Sequence, residues 1–410
     1  MGEWKETEFG LVASDWKFIP STEFCLRVTD GTHDSPKEQK TGKHLITSKH
    51  IKGKDVDFDN AYLISEEDYV KINERSKVDQ WDVIISMIGE YCGFSFVERN
   101  EVIDYAVKNV GLFKTGNQHK AYWLYYFLNS KIGRYILETN KSGTSQPYLT
   151  LGFLRELPVL YPSSEAEAKV IVEILSSIDD KIDLLHRQNK TFEQLAETLF
   201  RQWFVEEVNE SWEEKTINDV CIKINSGGTP STKVSEYYNG NINWYSTKEL
   251  NDNFLFESVS KITESGLENS SAKLFPENTI IIAIYAAPTV GRLGILGNEA
   301  SFNQAACGFV VDENKICFEY LYLYLLNSRQ KLNDMASGSA QQNLNVGIMK
   351  EFPLIIPASE RIVEFRNISR PLFLKIKENS IQIRTLTQLR DTLLPKLMSG
   401  EVRVKNETND

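Results

Sequence analysis

One passage of 21 residues is written twice in this chain, as SGTSQPYLTLGFLRELPVLYP at Ser142–Pro162 and as SGSAQQNLNVGIMKEFPLIIP at Ser337–Pro357. Aligned without gaps, 8 of the 21 positions are identical, Gln146/Gln341, Glu156/Glu351 and Pro158/Pro353 among them. A repeat of this kind limits the chain to architectures with two like domains, each burying its own core. At 410 residues the chain is long enough for both.

The likeness runs well upstream. YWLYYFLNS (Tyr122–Ser130) matches YLYLYLLNS (Tyr320–Ser328), and the apolar run DVIISMIG (Asp82–Gly89) matches NTIIIAIY (Asn278–Tyr285). LITSKHI (Leu45–Ile51) pairs with WYSTKEL (Trp244–Leu250), and VTDGTHDSP with INSGGTPST. Each half then shows one internal order: short β-rich runs with turn signals, one amphipathic helix (Tyr122–Glu138 or Tyr320–Met335), and a closing proline, Pro162 or Pro357. A long helical pattern, read as unbroken until its far end, follows each proline.

Those two patterns carry a heptad seam. Ile178, Ile182, Leu185, Asn189, Phe192, Ala196, Leu199 and Trp203 alternate spacings of four and three, as do Leu372, Ile376, Asn379, Ile383, Leu386, Arg390, Leu393 and Leu397. Such a seam predicts a coiled coil, and the economical partner of each helix is the other. Asn189 and Asn379 do not align in the repeat, so a parallel pair in repeat register would set Asn189 against Ile383. An antiparallel pair with Asn189 facing Asn379 sets Leu185 against Ile383, Phe192 against Ile376 and Ile182 against Leu386. That register matches polar with polar and apolar with apolar.

The two copies of the seam resemble a known family. Two dissimilar globular halves, each followed by a similar long helix, look like the specificity subunit of a type I restriction–modification system. LRDTLLPKLMSGEVRV (Leu389–Val404) resembles the end of that family's C-terminal helix, LAETLFRQWFV (Leu195–Val205) the end of its central helix, and the duplicated passage the end of its target-recognition domains. The resemblance implies an α+β fold with an internal two-fold pseudo-repeat: two mixed α/β recognition domains, each with a twisted β-sheet, separated by two long helices forming an antiparallel coiled coil. The expected boundaries are 1–163 and 209–357 for the recognition domains, 164–208 and 358–400 for the spacer helices, and 401–410 for a flexible tail. It implies a non-catalytic chain without cofactors that reads a bipartite double-stranded DNA target. Its partners would be methyltransferase (M) and restriction/translocase (R) subunits. Independently of the family, helices of this length span roughly 50–60 Å, enough to hold two half-sites one to two duplex turns apart.

Charge and motifs bear on that expectation. The net charge of −11 argues against a strongly electropositive nucleic-acid binder, but it is uneven: residues 164–208 hold ten Asp/Glu against five Lys/Arg, whereas Arg27–Lys54 holds seven Lys/Arg against three Asp/Glu. GxxxxGK[ST], GxGxxG after a strand, GxSxG and HExxH are all missing, so neither a phosphate cradle, a nucleophile elbow nor a metal site is expected. Five cysteines without CxxC read as small buried hydrophobes. No apolar run approaches a membrane span, and the first residues lack a secretory pattern, so the chain reads as cytoplasmic. Two alternatives stay open: a stand-alone nuclease or DNA methyltransferase with an unrecognised active site, and a scaffold that binds protein only.

For DNA contact the turns after the first strands stand out. Thr32-His33 and Thr229 follow Gly31 and Gly228, where a bare backbone approaches phosphate closely. Ser48-Lys49 and Thr247-Lys248 hold matching places and pair a hydroxyl with a cation. Each of these has a plain β-turn or solvated strand end as its equal alternative. The loop YAAPTVGRLG, with Tyr285 and Arg292, offers base contact through Arg; its counterpart Ile88–Gly93 has no Arg, as expected of halves that read different sequences. Ser142-Gly143-Thr144 and Ser337-Gly338-Ser339, beside Gln146 and Gln341, read evenly as backbone-positioning or structural.

Overall fold

The computed structural model describes residues 3–209, 211–285, 289–338 and 344–404. The chain divides into two compact units, Met1–Lys181 with Leu386–Asp410, and Ile182–Thr385.

In the first unit the run Asp82–Ser86 is buried along its whole length. Its side chains alternate between two cores: Val83 and Ile85 join a cluster with Trp16, Trp123 and Phe127, while Ile84 joins Ile46, Val107 and Leu112 on the other side. A strand covered on both faces reads as a continuous β-branched run for this reason. It lies inside a four-stranded antiparallel sheet of order Ser95–Val97, Asp82–Ser86, Val110–Lys114, Arg27–Asp30. A three-stranded sheet joins Tyr105–Lys108 in parallel to Lys43–Thr47, and Lys43–Thr47 antiparallel to Leu63–Ile64.

The second unit repeats this plan. Ile280 and Ile282 face one core with Phe309 and Tyr320, and Ile281 and Ala283 face another with Tyr245 and Phe302. The sheet order is Leu293–Leu296, Ile280–Ala283, Ala306–Val311, Cys221–Ser226, with Phe254–Leu255 added in parallel at the Leu293–Leu296 edge. Ser301–Phe302 pairs in parallel with Tyr238–Tyr245, which pairs antiparallel with Ser260–Ile262. The fold is thus mixed α/β, with one strand order in both units. Four cysteines are buried and Cys221 is partly so, all as free thiols.

The duplicated passage is the closing piece of each unit. In the first, Ser142 and Tyr148 exchange backbone hydrogen bonds at 2.9 Å, and Thr150 Oγ1 caps the short helix Leu151–Glu156 by accepting from Phe153 N. The strand Pro158–Tyr161 then pairs with Lys17–Pro20. In the second, Asn345 caps Val346–Lys350, and Pro353–Ile356 pairs with Glu213–Thr216. Ser339 and Gln341 lie outside the described residues.

Each expected single amphipathic helix is broken in two, into Gln118–Asn129 and Lys131–Thr139, and into Phe318–Asn327 and Arg329–Gly338. At the first break Ser130 is extended (φ −72°, ψ 165°) and its hydroxyl caps the new helix at Gly133 N, 3.1 Å away. A Cβ on Gly133 would stand 1.9 Å from the Phe127 carbonyl oxygen, so only glycine permits so sharp a turn.

The long helices span Glu165–Arg201 and Ser359–Ser399, the first ending in a wider turn at Gln202–Glu206. The second runs unbroken over its whole length, although Pro371 and Pro395 lie inside it. Each proline removes one donor from the ladder, yet the helix continues through both. Within the second unit, Asn379 Nδ2 donates to Asn189 Oδ1 at 2.9 Å and to Gln188 Oε1 at 3.3 Å, and Asn189 Nδ2 donates to Ser380 Oγ at 3.3 Å. Both asparagines are buried, as are Ile182, Leu185 and Ile376; Phe192 packs partly buried on the same core, and Ile383 and Leu386 are half-buried. Further along, the Phe200 and Phe365 rings meet at 6.3 Å. Within the first unit, the seam residue Arg390 donates to Asp179 Oδ1 at 3.0 Å, and Leu397 and Met398 bury against Ile171 and Leu175. Residues 401–404, expected to begin a flexible tail, are tied down: Arg403 forks onto Glu167 (2.6 and 2.8 Å) and Asp15 (2.8 and 3.0 Å). The remainder of that tail lies outside the described residues.

Replacing Asn379 with Leu leaves the buried Asn189 oxygen without its donor and should destabilise the protein by about 1–3 kcal/mol. Replacing both asparagines with Leu should restore stability to at least the wild-type value, read as the calorimetric Tm. A second expectation concerns Glu193, which faces a cavity of about 330 Å³ in the second unit together with Glu197, Asp252 and Arg329. Burial, then Glu197 and Asp252, push its carboxyl up to about 7. An acid whose folded pKa is raised holds its proton in the folded state, so its contribution is favourable below the ordinary carboxylate range and is lost as pH rises towards 7. Glu193→Gln should therefore raise Tm at pH 8 and leave it nearly unchanged at about pH 4.

Candidate nucleic-acid interface

In each unit the turns singled out from sequence leave the ends of the central strands, and hydrogen bonds tie them into one rim. In the first unit, Gly31 sits so close to the neighbouring strand that a Cβ would meet the Val107 carbonyl at 2.7 Å. Thr32 is buried, and its hydroxyl accepts from Asp34 N at 3.1 Å. His33 is exposed; its ring nitrogens meet Asp30 Oδ2 at 2.9 Å and Asn109 Oδ1 at 3.1 Å. Asp30 is also paired with Arg75.

Asn109 connects this turn to the next. It occupies the left-handed region (φ 56°), and its carbonyl accepts from the Ser48 hydroxyl. Ser48 is buried, and its Oγ also accepts from Met87 N (3.1 Å) and Ile88 N (3.3 Å), which holds the Ile88–Gly93 loop against the Ser48–His50 turn. That hydroxyl is spent on the fold, not offered to a ligand. Lys49 beside it is exposed. The turn is closed by His50 Nδ1, which accepts from Thr47 N at 3.0 Å. Burial, reinforced by the Lys49 charge, holds His50 below its ordinary pKa and hence neutral, as an acceptor must be. Gly89 N donates to the Pro147 carbonyl at 2.9 Å, so the Ser142–Tyr148 hairpin borders the same rim.

The second unit builds the equivalent turn with different chemistry. Ser246 caps Thr247–Glu249, and Glu249 Oε2 accepts from both Ser246 N and Ser246 Oγ at 2.8 Å. Thr247 is buried and Lys248 exposed, repeating Ser48 and Lys49. Thr229 bonds Gln304 Oε1, and the Gly228 carbonyl accepts from Trp244 Nε1 at 2.8 Å. Tyr285 is 39% exposed, at the end of the buried strand Ile280–Ala283. Arg292 is half-buried, its carbonyl accepting from Ala283 N at 2.9 Å. Residues 286–288 of this loop lie outside the described residues.

Three rim residues escaped the reading of the sequence. Asn109, between two strands, carried the usual signal of an Asn in a left-handed turn. Arg134 and Arg329, at different places in the corresponding helices Lys131–Thr139 and Arg329–Gly338, both reach a glycine carbonyl: Arg134 Nη1 donates to Gly93 O at 3.0 Å, and Arg329 Nε to Gly291 O at 2.9 Å. Among the described residues no cluster of His, Cys, Asp and Glu is arranged to hold a metal ion, and no helix is long and apolar enough to cross a membrane.

Residues 14–194 and 209–366 match the family model described as type I restriction modification DNA specificity domain. The chain is 28% identical over 310 residues to the type I restriction enzyme MjaIX specificity subunit of Methanocaldococcus jannaschii, covering 69% of each chain. It is 25% identical over 343 residues to the HindI specificity subunit of Haemophilus influenzae, covering 65% of this chain and 73% of that one. The S subunit of a type I restriction–modification system from M. genitalium shares the fold, with a TM-score of 0.63 at 15% identity over 93% of this chain and 96% of that one. With two copies of the matching domain spanning most of its length, the chain belongs to the DNA specificity family of type I restriction–modification systems.

Proposed function

We propose that each unit reads one half of a bipartite double-stranded DNA target through the rim just described, and that the chain is the recognition subunit of an enzyme complex and not itself the catalyst. The observation that carries this reading is the pairing of a shared framework with different loops. Both rims have a capped turn presenting one exposed lysine, Lys49 and Lys248, whereas the neighbouring loops share neither length nor Arg292. Lys49 and Lys248 would neutralise phosphate, His33, Thr229 and Tyr285 would border the duplex, and Arg292 would read a base edge. Thr32, Ser48 and Thr247, buried and bonded internally, would position the turns.

In this reading the helices 164–208 and 358–400 pair antiparallel as a coiled coil, space the recognition domains 1–163 and 209–357, and dock methyltransferase and restriction/translocase subunits. The Asn189–Asn379 bond, the Asp179–Arg390 bond and the Phe200–Phe365 contact support this, because rising residue numbers in one helix meet falling numbers in the other. A stand-alone nuclease or methyltransferase is not favoured, since the family matched is one of specificity subunits.

Co-expression with the cognate methyltransferase subunit, followed by sequencing of methylated genomic DNA, should return a split motif with a fixed gap. An unsplit motif, or methyl transfer by the purified chain alone, would overturn the reading. Lys49→Ala and Lys248→Ala should each weaken binding by the complex evenly for all sequences and reduce the salt slope by about one unit. Arg292→Ala should relax choice at one base position of one half-site, costing about 1–3 kcal/mol there.

A further inference from the structure

The two arginines missed from sequence do more than brace a loop. Arg329 Nε donates to the Gly291 carbonyl, and its guanidinium forks onto the Asp252 carboxylate, Nη1 reaching Oδ2 at 3.1 Å. Asp252 Oδ1 in turn accepts from Leu293 N at 2.9 Å, and Asp252 N donates to the Leu293 carbonyl at 2.9 Å. Arg292 is therefore gripped on both sides: the carbonyl before it by Arg329, the residue after it by Asp252. Asp252 itself is in the left-handed region (φ 61°), and its carbonyl accepts from the Tyr322 hydroxyl at 2.7 Å. Gly291 has φ 80°, a conformation that an ordinary side chain would resist.

The first unit repeats the grip with other residues. Arg134 Nη1 holds the carbonyl of Gly93 (φ 91°), and its Nη2 donates to Asn129 Oδ1. Phe94 takes the place of Arg292 and lies with its ring 5.5 Å from the Arg134 guanidinium. A planar fork bonded at several points fixes direction as well as distance, which a point charge cannot do.

We propose that the Arg329–Asp252 pair is a specificity-determining positioning device: it aims Arg292 at its base, and Arg134 performs the same service for the loop of the first unit. This rests on the reading of Arg292 as a base contact. The test uses the full chain in complex with its methyltransferase subunit, bound to duplexes carrying the target and every single-base change in each half-site. Arg292→Ala, Arg329→Gln, Arg329→Lys and the double variant R292A/R329Q are compared. Arg329→Lys keeps a charge opposite Asp252 and so guards against simple unfolding. Both Arg329 variants should reproduce the Arg292→Ala profile, losing roughly fivefold or more of discrimination at the same position. The double variant should lose little beyond either single change, and discrimination in the other half-site should be intact. If Arg292→Ala weakens all sequences evenly, the base-reading assignment fails. The positioning claim is still judged by whether the Arg329 variants match that flat profile. Arg329 variants that keep full discrimination, or that lose it equally in both half-sites, would overturn it.

Discussion

The constraint on which most of this molecule depends is the burial of one strand in each unit on both of its faces. Val83 and Ile85 belong to one core and Ile84 to another, as Ile280 and Ile282 do against Ile281 and Ala283. A strand so enclosed has no freedom to slip, because a one-residue shift would carry every side chain into the wrong core. Its ends are fixed as a result, and it is from those ends that the loops 88–93 and 285–292 depart. In the proposed function, rigid strands with differing loops at their tips would let a rim change its ligand without changing its fold.

Much of the fold was legible because the signals were periodic or duplicated. The continuous apolar runs marked the buried strands, and the closing passage proved to be a cap, a short helix and a strand in both units. What the sequence hid was local and depended on partners distant in the chain. Ser130 looks like one more residue of an amphipathic helix, and only its hydroxyl bond to Gly133 N turns it into a break. Pro371 argues against a continuous helix on propensity, but surrounding packing overrides propensity in a helix this long. Ser48, read as half of a phosphate contact, spends its hydroxyl on Asn109, Met87 and Ile88, which lie far from it in sequence. Lys49, the other half of that pair, is exposed.

The helix seam shows what polar residues in an apolar stripe accomplish. A seam of leucine and isoleucine alone would tolerate several registers at similar cost. In the proposed antiparallel pairing, Asn189 bonded to Asn379, and Arg390 bonded to Asp179, would penalise a shift of register, because it would strand buried polar groups. In that pairing these residues would contribute less to its strength than to its uniqueness.

The second long helix and the residues after it have a temporal consequence. Leu397 and Met398 bury in the core of the first unit, and Arg403 bonds Asp15 and Glu167 there. On the ribosome, then, the unit that begins at the N-terminus is the one completed last. All of residues 182–385 are made before those final turns, whereas the earlier unit keeps an open apolar face until Leu397 and Met398 emerge. A nonsense codon near position 386 would take Leu397, Met398 and Arg403 from the unit already long translated and no residue from the later-made one.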